Sequence, residues 1–102
     1  MNSHFLLMRF EIPNNKIQEF DLAFKRLVKW PVYTLYATGE NTESKTFELV
    51  RNWDSKEEMK MELDSRDFTN MIGMIKVLGD VLQSYIYDVS NRADLMEASE
   101  LK

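Results

Sequence analysis

TFELVRNWDSKEEMKMELDSRDFTNMIGMIKVLGD, residues 46–80, hands a strand over to a long helical region. Its first part, TFELVRNW (46–53), alternates apolar and polar residues and reads as a strand. Ser55-Lys-Glu-Glu58 follows at once as a capping box, in which a serine oxygen covers a free amide at the helix start. Met59 and Leu63 open an apolar stripe that Phe68, Ile72, Ile75 and Leu78 continue at helical spacing. The spacing slips at Asp64-Ser65-Arg66-Asp67, so a break or kink with a second capped start is predicted there. Gly79 suits the helix C-terminus.

Outward from this stretch, the rest of the chain falls into the same two periods. Residues 4–12, HFLLMRFEI, read as a strand that Pro13 ends, because proline has no N–H for the ladder. Asn14 or Asn15 is expected to cap a helix carrying Ile17, Phe20, Phe24, Leu27 and Val28 on one face. Pro31 disfavours helix at Trp30 and stops it. VYTLYAT (32–38) is β-branched and aromatic and reads as a strand, GENTESK as a turn longer than two residues, and VLQSYIYDV (81–89) as the last strand. Residues 1–90 thus form one domain, and 91–102 a tail or short helix.

The order β-α-β-β-α-β is that of a ferredoxin-like α+β domain, a four-stranded antiparallel sheet with its helices on one face. The strands are apolar on both sides. Phe47, Leu49 and Trp53 oppose Val50; Tyr85, Tyr87 and Val89 oppose Leu82 and Ile86; the first strand is apolar on both sides over its first half. Such a sheet needs a second cover, and a C2 homodimer with sheets face to face supplies one.

Composition narrows the function classes. Of 102 residues, 44% are hydrophobic and 12% aromatic, enough for one ordinary core. The formal charge of −4 and the absence of a basic block give nothing to attract a nucleic-acid backbone. The absence of cysteine excludes disulfides and thiolate ligands or nucleophiles. No run approaches the ~20 apolar residues of a membrane span, and the N-terminus lacks the pattern of a signal peptide. A cytoplasmic protein is expected. One histidine and no carboxylate set at ligand spacing give no metal site.

Trp53, the acidic start Asp54-Ser55-Lys56-Glu57-Glu58 and Ser65-Arg66-Asp67-Phe68 together resemble the dimeric α+β barrel superfamily, in its antibiotic biosynthesis monooxygenase-like branch. The resemblance covers about residues 5–89. It implies a dimeric barrel and, as activity, cofactor-independent oxidation of a small quinol-type aromatic. The family's haem-degrading members carry an axial histidine four residues beyond the position matching Phe68, where this chain has Ile72. They carry a Trp where this chain has Glu62, and an Asn that FLLMRFEI lacks. The resemblance therefore implies no haem and no other cofactor.

The candidate residues have two readings each. Trp53 either walls an aromatic pocket or fills the core. Arg51 shares a face with Phe47, Leu49 and Trp53, so its charge must be paired. It either stabilises an enolate or phenolate as charge develops, or forms a salt bridge to Glu11 or to a carboxylate of a second subunit. Arg9 carries the same alternatives. Tyr85, with Tyr33, Tyr36 and Tyr87, donates a hydrogen bond in a cavity or belongs to a sheet face. Asn52 and Glu48 lie opposite Arg51 and are site candidates if that face meets the helices. His4 reads as solvated, and Met59, Met61, Met71 and Met74 either fill the core or shape an adaptable apolar pocket. The function expected is that of a monooxygenase-like enzyme using Arg51, Trp53, Asn52 and Tyr85; the alternative is a non-catalytic homodimer that binds a small apolar ligand or serves a structural role.

Overall fold

The computed structural model describes residues 4–30 and 32–87 and the backbone of 92–94. Its strands are β1 (His4–Pro13), β2 (Thr34–Glu40), β3 (Ser44–Trp53), β4 (Asp80–Tyr87) and β5 (Arg92–Asp94). The helices are α1 (Ile17–Leu27), α2 (Lys56–Leu63) and α3 (Arg66–Leu78). The sheet is antiparallel with strand order β2-β3-β1-β4-β5. Its four long strands and the helices on one face are the expected ferredoxin-like arrangement. β5 is a short addition on the outer edge of β4, pairing Tyr85 with Asp94 and Tyr87 with Arg92. It stands where the sequence reading left a tail or short helix. Val89 and residues 95–102 lie outside the described residues.

β1 is laddered on both edges, His4↔Trp53 to Pro13↔Ser44 with β3 and Phe5↔Tyr87 to Glu11↔Asp80 with β4. Its even-numbered residues Leu6, Met8, Phe10 and Ile12 are fully buried under the helices. Phe20 and Phe24 of α1, Met59 and Leu63 of α2, and Phe68, Met71, Ile72 and Ile75 of α3 close over that row. The strand period of two and the helical period of 3.6 therefore meet in one core. Met74 is only partly buried and Met61 is 74% exposed, so the methionines are not uniformly core.

The helix starts follow local chemistry. Ser55 Oγ accepts from the Glu58 N–H at 3.2 Å, and Ser65 Oγ accepts from the Phe68 N–H at 3.1 Å. Both are N-caps, and the second produces the expected break. The first helix starts differently. A 3-10 turn, Asn14–Lys16, precedes α1, and neither start has a side-chain cap. The Asn14 Nδ2 group instead donates to the Asn41 carbonyl (3.2 Å), and its N–H to the Glu43 carbonyl (2.8 Å). Asn14 thus ties the helix entry to the hairpin loop. That loop is Asn41-Thr42-Glu43, with Asn41 Oδ1 accepting the N–H groups of Glu43 (2.7 Å) and Ser44 (2.9 Å). α1 ends at Leu27 because Val28 takes extended backbone, which sends Trp30 back towards the core.

Two further positions correct the sequence reading. The β1–β4 register slips between Arg9 and Phe10, so Leu82 is the unpaired residue of a bulge. It is 48% exposed rather than sharing the core face with Ile86. Gly79 ends α3, its N–H donating to the Ile75 carbonyl at 2.8 Å, but with φ of −159° it is extended and not left-handed. Glycine is required by proximity: a Cβ there would stand 2.0 Å from the Glu11 carbonyl oxygen and 2.8 Å from Ile12 Cδ1.

Gly79→Ala should therefore destabilise the fold by at least the ~1–3 kcal/mol of an overpacked site. Gly73→Ala, where nothing lies within 4 Å of an added Cβ, should stabilise α3 by about 0.5–1 kcal/mol. Urea denaturation midpoints moving in opposite directions check both.

Candidate functional site

The odd-numbered residues of β3 face the helices. Four of them, Phe47, Leu49, Arg51 and Trp53, lie in a row; Phe47 packs against Phe20 of α1, with ring centroids 5.2 Å apart, and Leu49 is fully buried. Arg51 and Trp53 come near the strand's end, where the helix layer parts. α1 has already ended, and the α2–α3 break leaves a gap. The result is a cleft of about 440 Å³ walled by Trp30, Trp53, Phe68 and Met71, with Met61 lining it as well. Lys29, Glu58 and Asp67 bring charge to the same cleft.

Arg51 is the organising side chain. Its guanidinium carbon lies 5.6 Å from the Trp30 ring centroid and 5.2 Å from that of Trp53. Both are cation–π distances. Glu62 grips the guanidinium with two bonds, Nε to Oε2 at 3.0 Å and Nη2 to Oε1 at 3.1 Å. Nη1 donates to the Asn52 carbonyl. The side chain of Arg51 is 11% exposed and that of Glu62 21%, so the pair is largely withdrawn from water. A two-point grip fixes the plane of the guanidinium as well as its position. Trp30 also stacks on Phe68, with centroids 6.3 Å apart and planes 27° apart. The cleft is thus an aromatic slot with an oriented cation on its wall.

Trp53 is 2% exposed, and its indole N–H is buried with no hydrogen bond among the described residues. Its ladder partner is His4, which is half-buried as the first residue of β1. The Nδ1 of His4 is likewise buried and unpartnered among the described residues. His4 is therefore part of the sheet end beside Trp53 and not the solvated residue the sequence suggested.

The other two expected site residues lie across the sheet. Asn52 is exposed on the face away from the helices, and only its carbonyl reaches Arg51. Tyr85 is half-buried on that same face, opposite Leu7, in a small recess with Arg9, Glu48 and Gln83. The strand period separates them from the cleft: Arg51 and Asn52 are neighbours and point to opposite sides. Glu11, the partner proposed for Arg51, is also on the open face, where it accepts from Ser44 Oγ at 3.0 Å. Arg9 pairs there with Glu48 at 3.4 Å. Tyr36 Oη donates to Glu48, and this bond, more than its partial desolvation and Glu48's charge, raises the phenol above its ordinary 10.0.

Trp30 and Glu62 escaped the sequence reading. Trp30 was visible only as the residue that Pro31 removes from a helix. Glu62 had a usable signal, because a lone arginine on an apolar strand face requires a carboxylate, and α2 follows that strand directly with Glu57, Glu58 and Glu62. Among the described residues no group of His, Cys, Asp and Glu is arranged to hold a metal ion, and no helix is long and apolar enough to cross a membrane.

A double-mutant cycle with Arg51→Met and Glu62→Gln should return a coupling energy of about 1–3 kcal/mol in chemical denaturation. A coupling within error of zero would show that the grip contributes nothing to the fold. No family model and no curated protein matches this chain.

Proposed function

We propose that the cleft binds a small planar aromatic of the quinol or phenol class and that the chain oxidises it without a cofactor, as a monooxygenase-like enzyme. The observation that carries this reading is the Arg51 guanidinium held edge-fixed between the indoles of Trp30 and Trp53 on an aromatic wall. Trp30, Trp53 and Phe68 offer faces for a flat ring. Arg51 offers positive charge where a phenolate would form. The resemblance of residues 5–89 to antibiotic biosynthesis monooxygenases supports the same activity.

In this chemistry the substrate loses its phenolic proton and the anion passes electrons to molecular oxygen. One oxygen atom ends on a ring carbon as a carbonyl. The other leaves as water with two hydrogens of the substrate. In this reading Arg51 favours the anion, and Trp30, Phe68 and Met71 supply the apolar wall against which the ring packs. Asn52 and Tyr85 have no part in this cleft within one protomer. A second reading, binding without turnover, is favoured by one feature: Arg51 is already engaged by Glu62 and the Asn52 carbonyl.

We also propose that the chain works in the cytoplasm as a C2 homodimer joined through the open sheet face. Phe5, Leu7, Val50, Tyr85 and Tyr87 are only half-buried there, and Phe5 stacks on Tyr87 at 4.6 Å. These side chains make an apolar field around the Arg9–Glu48–Tyr36 cluster, and a second sheet would cover it.

Both tryptophans of the chain line the cleft, so their fluorescence reports on it alone. A naphthoquinol should quench it saturably and consume one oxygen molecule per substrate in an oxygen electrode. Arg51→Met should weaken binding about tenfold, ~1.4 kcal/mol. Saturable quenching without oxygen uptake would select the non-catalytic reading, and no quenching by any of a quinol, phenol and anthrone panel would sink both. For the assembly, sedimentation equilibrium should give a mass of at least two chains that Leu7→Lys lowers; an unchanged mass in that variant refutes the sheet-face contact.

A further inference from the structure

The outer surface of the helix layer, on the side away from the open sheet face, carries a groove of about 480 Å³ between α1 and α3. Leu22 and Ala23 line it from α1, and Met74, Val77 and Leu78 from α3. Leu22 is 61% exposed and Val77 83%. Gly73 opens the groove further, since nothing stands within 4 Å of where its Cβ would be.

The charges around this groove identify what would cover it. Glu19 and Arg26 bracket Leu22 and Ala23 on α1, and both line the groove. Positions 19, 22, 23 and 26 follow i, i+3, i+4 and i+7, so they form one stripe of the helix. The acid and the base lie at equal distances on either side of the Leu22–Ala23 midpoint, about 10 Å apart along the axis at 1.5 Å per residue. A second α1 laid antiparallel across that midpoint places Glu19 against Arg26 twice. A parallel copy places like charges together. Arg26 makes no ion pair among the described residues, and Glu19 has a 3.5 Å contact with the exposed Lys16.

We propose that this groove is a docking surface for a second copy of the chain, with a two-fold axis passing between Leu22 and Ala23. The pattern is self-complementary, as an isologous contact requires. Leu22 of each copy enters the other's groove beside Gly73 and meets Met74 and Val77. The small residues Ala23 and Gly73 permit close approach of the helices. The surface is separate from the aromatic cleft and lies on the opposite side of the molecule from the open sheet face. Used together, the two faces would build an assembly larger than a dimer.

Leu7→Lys, which disables the sheet face, is the background for the test, and Tyr85→Lys serves if that variant does not fold. Sedimentation velocity at high micromolar concentration should show a dimer in this background. Glu19→Arg alone and Arg26→Glu alone should each halve the mass to that of a monomer, and the two together should restore the dimer. Far-UV circular dichroism checks that these exposed substitutions leave the fold intact. A monomer in the background variant, or a mass indifferent to both single reversals, overturns the helix-face contact. Failure of the sheet-face reading is distinct, since it shows as a wild-type mass unchanged by Leu7→Lys.

Discussion

Every other element is placed by the double pairing of β1. Its backbone is bonded to β3 on one edge and β4 on the other, so it has no freedom to shift without breaking two ladders. Register then decides everything above it. A slip of one residue would move Leu6, Met8, Phe10 and Ile12 to the open face and Phe5, Leu7, Arg9 and Glu11 into the core. At about 1.5–3 kcal/mol for each large apolar side chain buried, and with charges then forced inside, that alternative is strongly disfavoured. The same strand meets Gly79 at its far end, where only a hydrogen in place of a side chain lets α3 turn into β4 against the Glu11 carbonyl.

The cleft is a by-product of how the second helical region is broken. A continuous helix from Lys56 to Leu78 would carry Glu62 and Phe68 on one straight axis. The Ser65 cap splits it, and Ser65 Oγ also donates to the Glu62 carbonyl at 2.7 Å, tying the end of one helix to the start of the next. Glu62 is thereby held over Arg51, while Phe68 stacks on Trp30. Fold and site share a single local device, a serine at the right place between two apolar stripes.

The parts legible in the sequence were those written in local periodicity and local caps. Alternation in FLLMRFEI and TFELVRNW gave the faces of β1 and β3, and Ser55 and Ser65 marked two helix starts. What was not legible depended on contacts between distant segments. Asn14 looks like a cap in one dimension and is a tie to Asn41 in three. Leu82 looks like a core residue until the bulge shifts it. The site followed the same division. Arg51 and Trp53 share a face by strand period, and that was visible. Asn52 and Tyr85 required knowing which face the helices cover, and the sequence is apolar on both. Trp30 and Glu62 come from a loop and a helix whose meeting with β3 no local pattern encodes.

The edges of the sheet have a consequence for what this chain can avoid. Unpaired strand edges are templates on which further strands add, and growth of that kind ends in aggregation. Here one edge is β2, where the register with β3 shifts between Ala37 and Gly39 and leaves Thr38 as an extra residue. The irregularity comes in the middle of the strand, and Glu40 follows it with a charge. On the other side, among the described residues, β5 is three residues long and covers only Tyr85–Tyr87, and the rest of the β4 edge is interrupted by the bulge at Leu82. Neither offers a long, straight row of free amides and carbonyls. Among the described residues the rims of the sheet are thus poor templates for strand addition, and the uncovered apolar area lies on its open face instead.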